Sequence, residues 1–110
     1  AERLAPAGAG MDLSLLTFRY AIEGDRPDWR PLRAFDDGTR VFIEFPGSIG
    51  QGELPPLFVI GAQGEAELVN YRVSGRYMIV DRLFARAELR LGGRKGQQTV
   101  RIVSNRRGRA

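Results

Sequence analysis

The sequence predicts an all-β protein: an antiparallel β-sandwich of about seven to nine short strands. In several segments, large apolar residues alternate with polar ones, which is the period of a strand with one buried face. These segments follow one another roughly every 8 to 12 residues with turn residues between them, and none keeps a helical period for more than a turn or two. With 110 residues, the chain has the length of one domain.

The first half of the chain predicts a long strand followed by a hairpin. Residues 5–10 are small and contain Gly and Pro, which predicts a linker or disordered lead-in over residues 1–12, so that the sandwich is expected over residues 13–103. The large side chains of the first strand, expected on one face, are Leu16, Phe18, Tyr20 and Ile22. After a turn-rich stretch, residues 32–35 and 41–45 are expected to pair around Asp37 and Gly38.

The second half predicts the remaining strands. Residues 46–56 contain three glycines and three prolines, which indicates a surface loop and the first place to look for a contact site. Strands are expected over residues 57–60, 67–73, 77–80, 85–91 and about 99–103, with a tight hairpin at Ser74-Gly75. Val69, Tyr71 and Val73 are expected to point inward, as are Val100 and Ile102. Residues 104–110 are expected to be a flexible basic tail.

The composition excludes most familiar enzyme chemistry. The chain has no cysteine and no histidine, so thiol nucleophiles, the commonest zinc sites and Ser-His-Asp arrangements are absent. Asp36 and Asp37 could be a carboxylate pair for a metal or for acid/base work, but a turn in which one of them caps the backbone and Gly38 takes a positive φ is favoured. We therefore predict no catalytic, cofactor-binding or metal-binding residue and no small-molecule substrate.

The positive charge is concentrated at the C-terminal end. Of 17 basic residues, seven lie from position 89 onward, where there is no acidic residue, whereas the preceding 88 residues carry ten basic and thirteen acidic ones. The basic groups considered for contact with an anion are Arg94, Lys95, Arg106, Arg107 and Arg109. They support an alternative function, a nucleic-acid-binding β-domain, although a solubilising tail is the favoured explanation. No Phe, Tyr or Trp follows position 89, so a single-strand platform is disfavoured and nucleic acid is at most a transient partner.

Several segments together resemble a known family. They are Trp29-Arg30-Pro31, FDDGT at 35–39, FIEFP at 42–46, Leu57-Phe58, LVNYRVSGRYMIVD at 68–81, RLF at 82–84 and AELRLG at 87–92. Their order and spacing resemble the C-terminal domain of the TrbG-type conjugal transfer family over residues 18–102. These proteins are subunits of the outer-membrane core complex of type IV secretion systems. The family's larger N-terminal domain has no counterpart here, and the chain begins at Ala1 without a leader, so we expect an excised C-terminal piece.

The resemblance implies a structural role rather than an enzymatic one. It implies a β-sandwich located in the periplasm, associated with the outer membrane of a Gram-negative bacterium. The implied partners are a small outer-membrane lipoprotein, the envelope-spanning pore subunit and copies of the chain itself in a ring. The implied function is to scaffold a channel for DNA and protein export.

The residues suggest how such partners could bind. An edge strand can accept an extended peptide, and the first strand is the candidate edge, with Leu15, Thr17, Arg19 and Ala21 flanking the peptide. An ordinary strand paired on both sides is nevertheless favoured, because no sequence pattern marks an edge. The candidate subunit contacts are Trp29, Asn70 and Arg72. For Trp29, between Pro27 and Pro31, a lid on the core is the favoured explanation. A solvated sheet face explains Asn70 and Arg72 equally well. A carbohydrate-binding sandwich is disfavoured, because most of the aromatic residues are expected to alternate into the core.

Overall fold

Two antiparallel sheets form the protein, which confirms the predicted sandwich. The computed structural model describes residues 16–47, 54–92 and 96–105, and across these ranges the chain forms nine strands and no helix. The strands are β1 (Tyr20–Gly24), β2 (Arg33–Asp36), β3 (Val41–Glu44), β4 (Leu57–Ile60), β5 (Ala66–Val69), β6 (Arg72–Ser74), β7 (Tyr77–Val80), β8 (Arg86–Leu91) and β9 (Gln98–Ser104).

Consecutive strands pair as hairpins, and the chain changes sheet between hairpins. One sheet has the order β1-β9-β8-β4-β5 and the other the order β2-β3-β7-β6, with every pair antiparallel. The chain passes from one sheet to the other after β1, β3, β5 and β7. The edge strands are therefore β1 and β2 on one side of the sandwich and β5 and β6 on the other.

The core lies between the sheets and is built from alternate residues of both. Its buried members are Ala34, Val41, Ile43, Phe45, Leu57, Val59, Met78, Val80, Phe84, Ala87, Leu89 and Ile102. Val100 and Ile102 are fully buried, as predicted. Burying one large aliphatic or aromatic side chain stabilises a fold by about 1.5–3 kcal/mol, so this cluster supplies the main driving force for folding.

A second apolar cluster lies on the outer face of the four-stranded sheet. Phe35, Phe42, Tyr77 and Ile79 alternate with the core residues of the same strands, and Leu16 packs on them. The rings of Phe35 and Phe42 are stacked with their centroids 5.3 Å apart. Phe35, Phe42 and Tyr77 are thus buried, but in a cluster of their own outside the main core, because β2, β3 and β7 are apolar on both faces.

The first predicted strand is divided between the two sheets. Thr17 forms an isolated bridge with Asp36 of β2, whereas from Tyr20 onward the chain pairs with β9 in the other sheet. The ring of Phe18 accordingly lies 4.8 Å from that of Phe35 in the outer cluster, while Tyr20 packs against the core. Large and smaller or polar residues do alternate along this segment, as predicted. Because the chain changes sheets between Thr17 and Tyr20, however, Phe18 joins the outer cluster and Tyr20 packs on the core.

The predicted strand over residues 67–73 is likewise two strands. β5 leaves the five-stranded sheet after Val69, and β6 joins the four-stranded sheet at Arg72. Val69 and Tyr71 pack against the core, as expected, but Val73 is 38% exposed because β6 is a three-residue edge strand. The following turn lies at Gly75 and Arg76, one residue later than predicted, since Ser74 pairs with Tyr77.

Candidate protein-docking edges

The outer edge of β1 presents the backbone of alternate residues. The amides of Asn105 and Asp25 bond to the carbonyls of Arg19 and Thr99, respectively, so the odd-numbered residues of this segment face β9. In an antiparallel ladder, the residues between them turn their N–H and C=O groups the other way. Tyr20, Ile22 and Gly24 therefore direct their backbone groups away from the sheet.

Arg30 covers this edge. Its guanidinium donates hydrogen bonds to the carbonyl of Ile22 at 2.7 Å and to those of Gly24 and Asp25 at 3.2 Å each. The planar guanidinium fork allows one side chain to bond several carbonyls at once. Sequence reasoning missed this role, because an arginine in a turn gives no local signal that it will fold back on the preceding strand, or that this strand will be an edge.

The predicted peptide-flanking residues have different surroundings. Leu15 lies outside the described residues. Thr17 exchanges two backbone hydrogen bonds with Asp36, at 2.8 and 3.0 Å, Arg19 is exposed, and Ala21 is paired with Val103. The structure thus places β1 at a sheet edge, whereas peptide binding by these residues stays a prediction, and a peptide there would have to displace Arg30.

The predicted subunit contacts do not form one surface. Trp29 lies in the connection between β1 and β2 and packs, half-buried, against the core. Asn70 and Arg72 lie at the passage from β5 to β6, on the other side of the sandwich. Arg72 forms a bidentate ion pair with Asp81, with N···O distances of 2.9 and 3.1 Å. This hydrogen bonding, with the charge of Asp81, raises the pKa of Arg72. A role for any of the three in subunit contact stays a prediction.

Both candidate carboxylates cap the turn between β2 and β3. The amide of Gly38, whose φ is +94°, donates to Asp36 at 2.8 Å. The amides of Thr39 and Arg40 donate to Asp37 at 3.0 and 2.8 Å. Burial by itself raises the pKa of Asp37, but the backbone hydrogen bonds from Arg40 and Thr39 and the charge of Arg40 outweigh it and lower that pKa. The predicted capping of this turn by an aspartate, with Gly38 at a positive φ, is thus confirmed by the geometry.

The buried acids are engaged in structural contacts. Among the described residues, Glu44 is the second buried acid beside Asp36, and its carboxylate lies 3.3 Å from Arg33 and 3.5 Å from Arg76. An open cavity of about 340 Å³ is lined by Leu83, Phe84, Ala85 and Ser104, none of which is an acid or a base. Within the part of the chain that the structure describes, no three acidic, cysteine or histidine side chains come together as a metal site.

The basic residues considered for anion contact all lie outside the described residues: Arg94, Lys95, Arg106, Arg107 and Arg109.

None of the described segments forms a helix that could span a membrane.

Comparison with known proteins identifies the family. Residues 2–105 match the family described as CagX, conjugal transfer protein. A probable conjugal transfer protein TrbG from Sinorhizobium fredii is 38% identical over 87 residues, which are 79% of this chain and 32% of that protein. Protein virB9 from Agrobacterium fabrum is 34% identical over 61 residues, which are 56% of this chain and 20% of that protein. The chain thus corresponds to a third or less of the length of these relatives, and it belongs to the CagX family of conjugal transfer proteins.

Proposed function

We propose that this domain is a structural, non-catalytic part of a type IV secretion or conjugal transfer machine. In this role it lies in the periplasm, in the core complex at the outer membrane, and helps to scaffold a channel for DNA and protein export. Family membership carries the proposal, because the match extends over residues 2–105 and a relative named as a probable conjugal transfer protein aligns with 79% of the chain.

The proposed partners are a small outer-membrane lipoprotein, the envelope-spanning pore subunit and further copies of the chain in a ring. Among the described residues, four edge strands support a role in protein binding, since alternate residues of an edge strand turn their backbone groups away from the sheet. An extended peptide can pair with such an edge, gaining affinity from backbone hydrogen bonds and specificity from alternate side chains. The lipoprotein is therefore proposed to bind as an extended N-terminal segment.

The chemistry of the described residues supports assembly rather than catalysis. Their two buried acids, Asp36 and Glu44, are both held by neighbours: Asp36 by Tyr20 and Gly38, and Glu44 by Arg33 and Arg76. Both buried carboxylates thus hold neighbouring elements of the fold together.

The proposal is tested by a two-dimensional NMR titration of the isotope-labelled chain. The probe is a synthetic peptide covering the N-terminal segment of the lipoprotein encoded with this chain, and a scrambled peptide of the same composition is the control. Saturable shifts along one edge strand, absent with the scrambled peptide, are expected. No shifts at about millimolar peptide would contradict lipoprotein capture.

A parallel titration with a DNA oligonucleotide addresses the alternative function. If the basic C-terminal segment binds nucleic acid as its main role, the oligonucleotide binds more tightly than the peptide and the affinity falls steeply with added salt. We expect weak binding to DNA and peptide binding that changes little with salt, because backbone hydrogen bonds and apolar contacts dominate the latter.

A further inference from the structure

Two arginines from distant parts of the sequence flank the end of β9. The amide of Asn105 bonds to the carbonyl of Arg19, so Arg19 lies beside this end on the β1 side. On the β8 side, Arg86 is paired with Val103. Both arginines are exposed, and neither forms an ion pair with another described residue.

The basic C-terminal segment continues from the same end of β9. Arg106, Arg107 and Arg109 follow Asn105 in the sequence, with no acidic residue among them. These arginines lie outside the described residues. Consecutive Cα atoms are only about 3.8 Å apart, however, so the Cα atoms of the first two cannot be more than about 8 Å from that of Asn105. The fold therefore brings the two flanking arginines next to the point at which the basic segment is attached.

Most acids at this end of the sandwich are engaged. Among the described residues, three of them form ion pairs: Asp37 with Arg40, Glu67 with Arg82, and Asp81 with Arg72. Asp36 is buried and accepts a hydrogen bond from Tyr20. Glu65 is exposed and has no ion pair, but it lies in the turn between β4 and β5, and β4 separates it from β8. The charge around the end of β9 itself is therefore positive.

Apolar groups lie beside these arginines. Phe18, which directly precedes Arg19, is 54% exposed. An open cavity of about 340 Å³ lies at the same end, because the amide of Ser104, at the end of β9, bonds to the carbonyl of Ala85 and both residues line the cavity. Leu83 and Phe84 complete the lining. Guanidinium groups next to apolar side chains match a membrane interface, where phosphate groups adjoin acyl chains.

A phospholipid surface suits this end better than a nucleic acid does. Both offer phosphate groups, which a guanidinium binds through two parallel hydrogen bonds. A protein that binds single strands also stacks successive bases on aromatic side chains. Among the described residues, Phe18 is the one aromatic residue that is largely exposed, and no aromatic residue follows position 89. An anionic lipid surface attracts basic residues without any stacking.

We propose that this end of the sandwich, with Arg19, Arg86 and the arginines that follow Asn105, docks on the anionic surface of a phospholipid membrane. The guanidinium groups bind lipid phosphates, and Phe18 lies at the boundary between headgroups and acyl chains. This inference deepens the proposed function, because it rests on a location at the outer membrane and names the part of the domain that contacts lipid.

Co-sedimentation of the full chain with phospholipid vesicles tests the inference. The anionic probe is a vesicle of phosphatidylcholine with about 30% phosphatidylglycerol, and the control is a vesicle of phosphatidylcholine alone. We expect binding to the anionic vesicles that falls steeply with added salt, and little binding to the neutral ones. Equal binding to both vesicles, or no binding to the anionic vesicles at low salt, would overturn the inference.

Single substitutions locate the contact. R19Q and R86Q should each lower the partition coefficient by about fivefold, because each basic residue close to an anionic surface contributes about that much. R26Q is the matched control. Arg26 is also exposed without an ion pair, but it follows Asp25, whose amide bonds to Thr99 near the start of β9. A loss in R26Q equal to that in R19Q and R86Q would show that only the net charge matters, and the inference would be wrong.

Deletion of residues 106–110 separates the folded surface from the C-terminal segment. We expect the deletion to weaken binding to the anionic vesicles and R19Q and R86Q to weaken it further. If the deletion abolishes binding while R19Q and R86Q leave it unchanged in the full chain, the segment acts alone and the folded end is not a docking surface. Amide spectra of the two exposed-site variants show whether each is folded, and either variant is sufficient for the comparison.

Two competitors distinguish this inference from the other hypotheses. If a single-stranded oligonucleotide at an equal phosphate concentration displaces the chain from the vesicles, nucleic acid is the preferred ligand and the proposed occupant is wrong. A chain that binds the lipoprotein peptide but not the vesicles would overturn the inference and leave the proposed function intact. A chain that binds the vesicles but not the peptide would contradict lipoprotein capture alone.

Discussion

The hydroxyl of Tyr20 donates a 2.6 Å hydrogen bond to the carboxylate of Asp36. Tyr20 begins β1 in the five-stranded sheet, and Asp36 ends β2 in the four-stranded sheet. Asp36 is 1% exposed, and its other carboxylate oxygen accepts the amide of Gly38. One buried carboxylate thus joins the two sheets at their β1/β2 edge and also closes the turn into β3.

The substitution Y20F should destabilise the fold by about 1–3 kcal/mol, because it removes a donor from a buried carboxylate. Chemical denaturation measures this change in the free energy of unfolding. Y71F is the matched control, since Tyr71 also packs against the core and its hydroxyl has no hydrogen-bond partner among the described residues. An equal loss in both variants would show that removing a hydroxyl from a tyrosine packed on the core, rather than breaking the bond to Asp36, causes the loss.

The substitution R30A should uncover the β1 edge and promote self-association. The guanidinium bonds three carbonyls at this edge, and an exposed row of unpaired backbone groups is a template for pairing with another chain. Light scattering over a range of protein concentrations measures the change in mass. R30K, which keeps the charge but lacks the planar fork, should give an intermediate result. A strictly monomeric R30A protein would show that Arg30 does not protect the edge.

The substitution G24A should destabilise the fold more than G38A does. Both glycines have positive φ, +104° and +94°, so alanine is strained at either position, by roughly 1–2 kcal/mol. A Cβ at position 24 would also lie 2.5 Å from the carbonyl oxygen of Thr99, whereas at position 38 nothing lies within 4 Å. Thermal unfolding of both variants separates the steric contact from the backbone strain, and equal losses would contradict the predicted contact with Thr99.

The stability of the fold should fall at low pH in part through Asp37. Its pKa in the folded protein is below the ordinary value of 3.8, so its contribution is fully present above about pH 5 and is lost as the pH falls through the folded-state pKa. D37N should therefore reduce the dependence of the unfolding free energy on pH below about 4. D81N, which removes the acid of an exposed ion pair with Arg72, is the control. If D37N leaves the acid limb of the stability curve unchanged, the turn hydrogen bonds do not require the charged form.

Short-range patterns predicted which segments are strands but not which sheet each one joins. Residues 57–60 and 77–80 are strands with the predicted bounds, because each is an uninterrupted apolar run between turn residues. The alternation over 67–73 continues through Asn70, yet the chain changes sheets there. A strand that crosses from one sheet to the other keeps its period of two, so alternation cannot reveal the crossing.

The all-β class, the family resemblance and the capping turn at Asp36-Asp37-Gly38 follow from the sequence, because they depend on local pattern, backbone preference and the order of motifs along the chain. The folded structure was needed to show that β1 and β5 are the outer strands of one sheet, that Arg30 covers β1 and that Leu68 is exposed on β5. A strand is an edge strand when only one of its sides is hydrogen-bonded to a neighbouring strand. That outcome depends on contacts between residues far apart in the chain, and no local pattern encodes it.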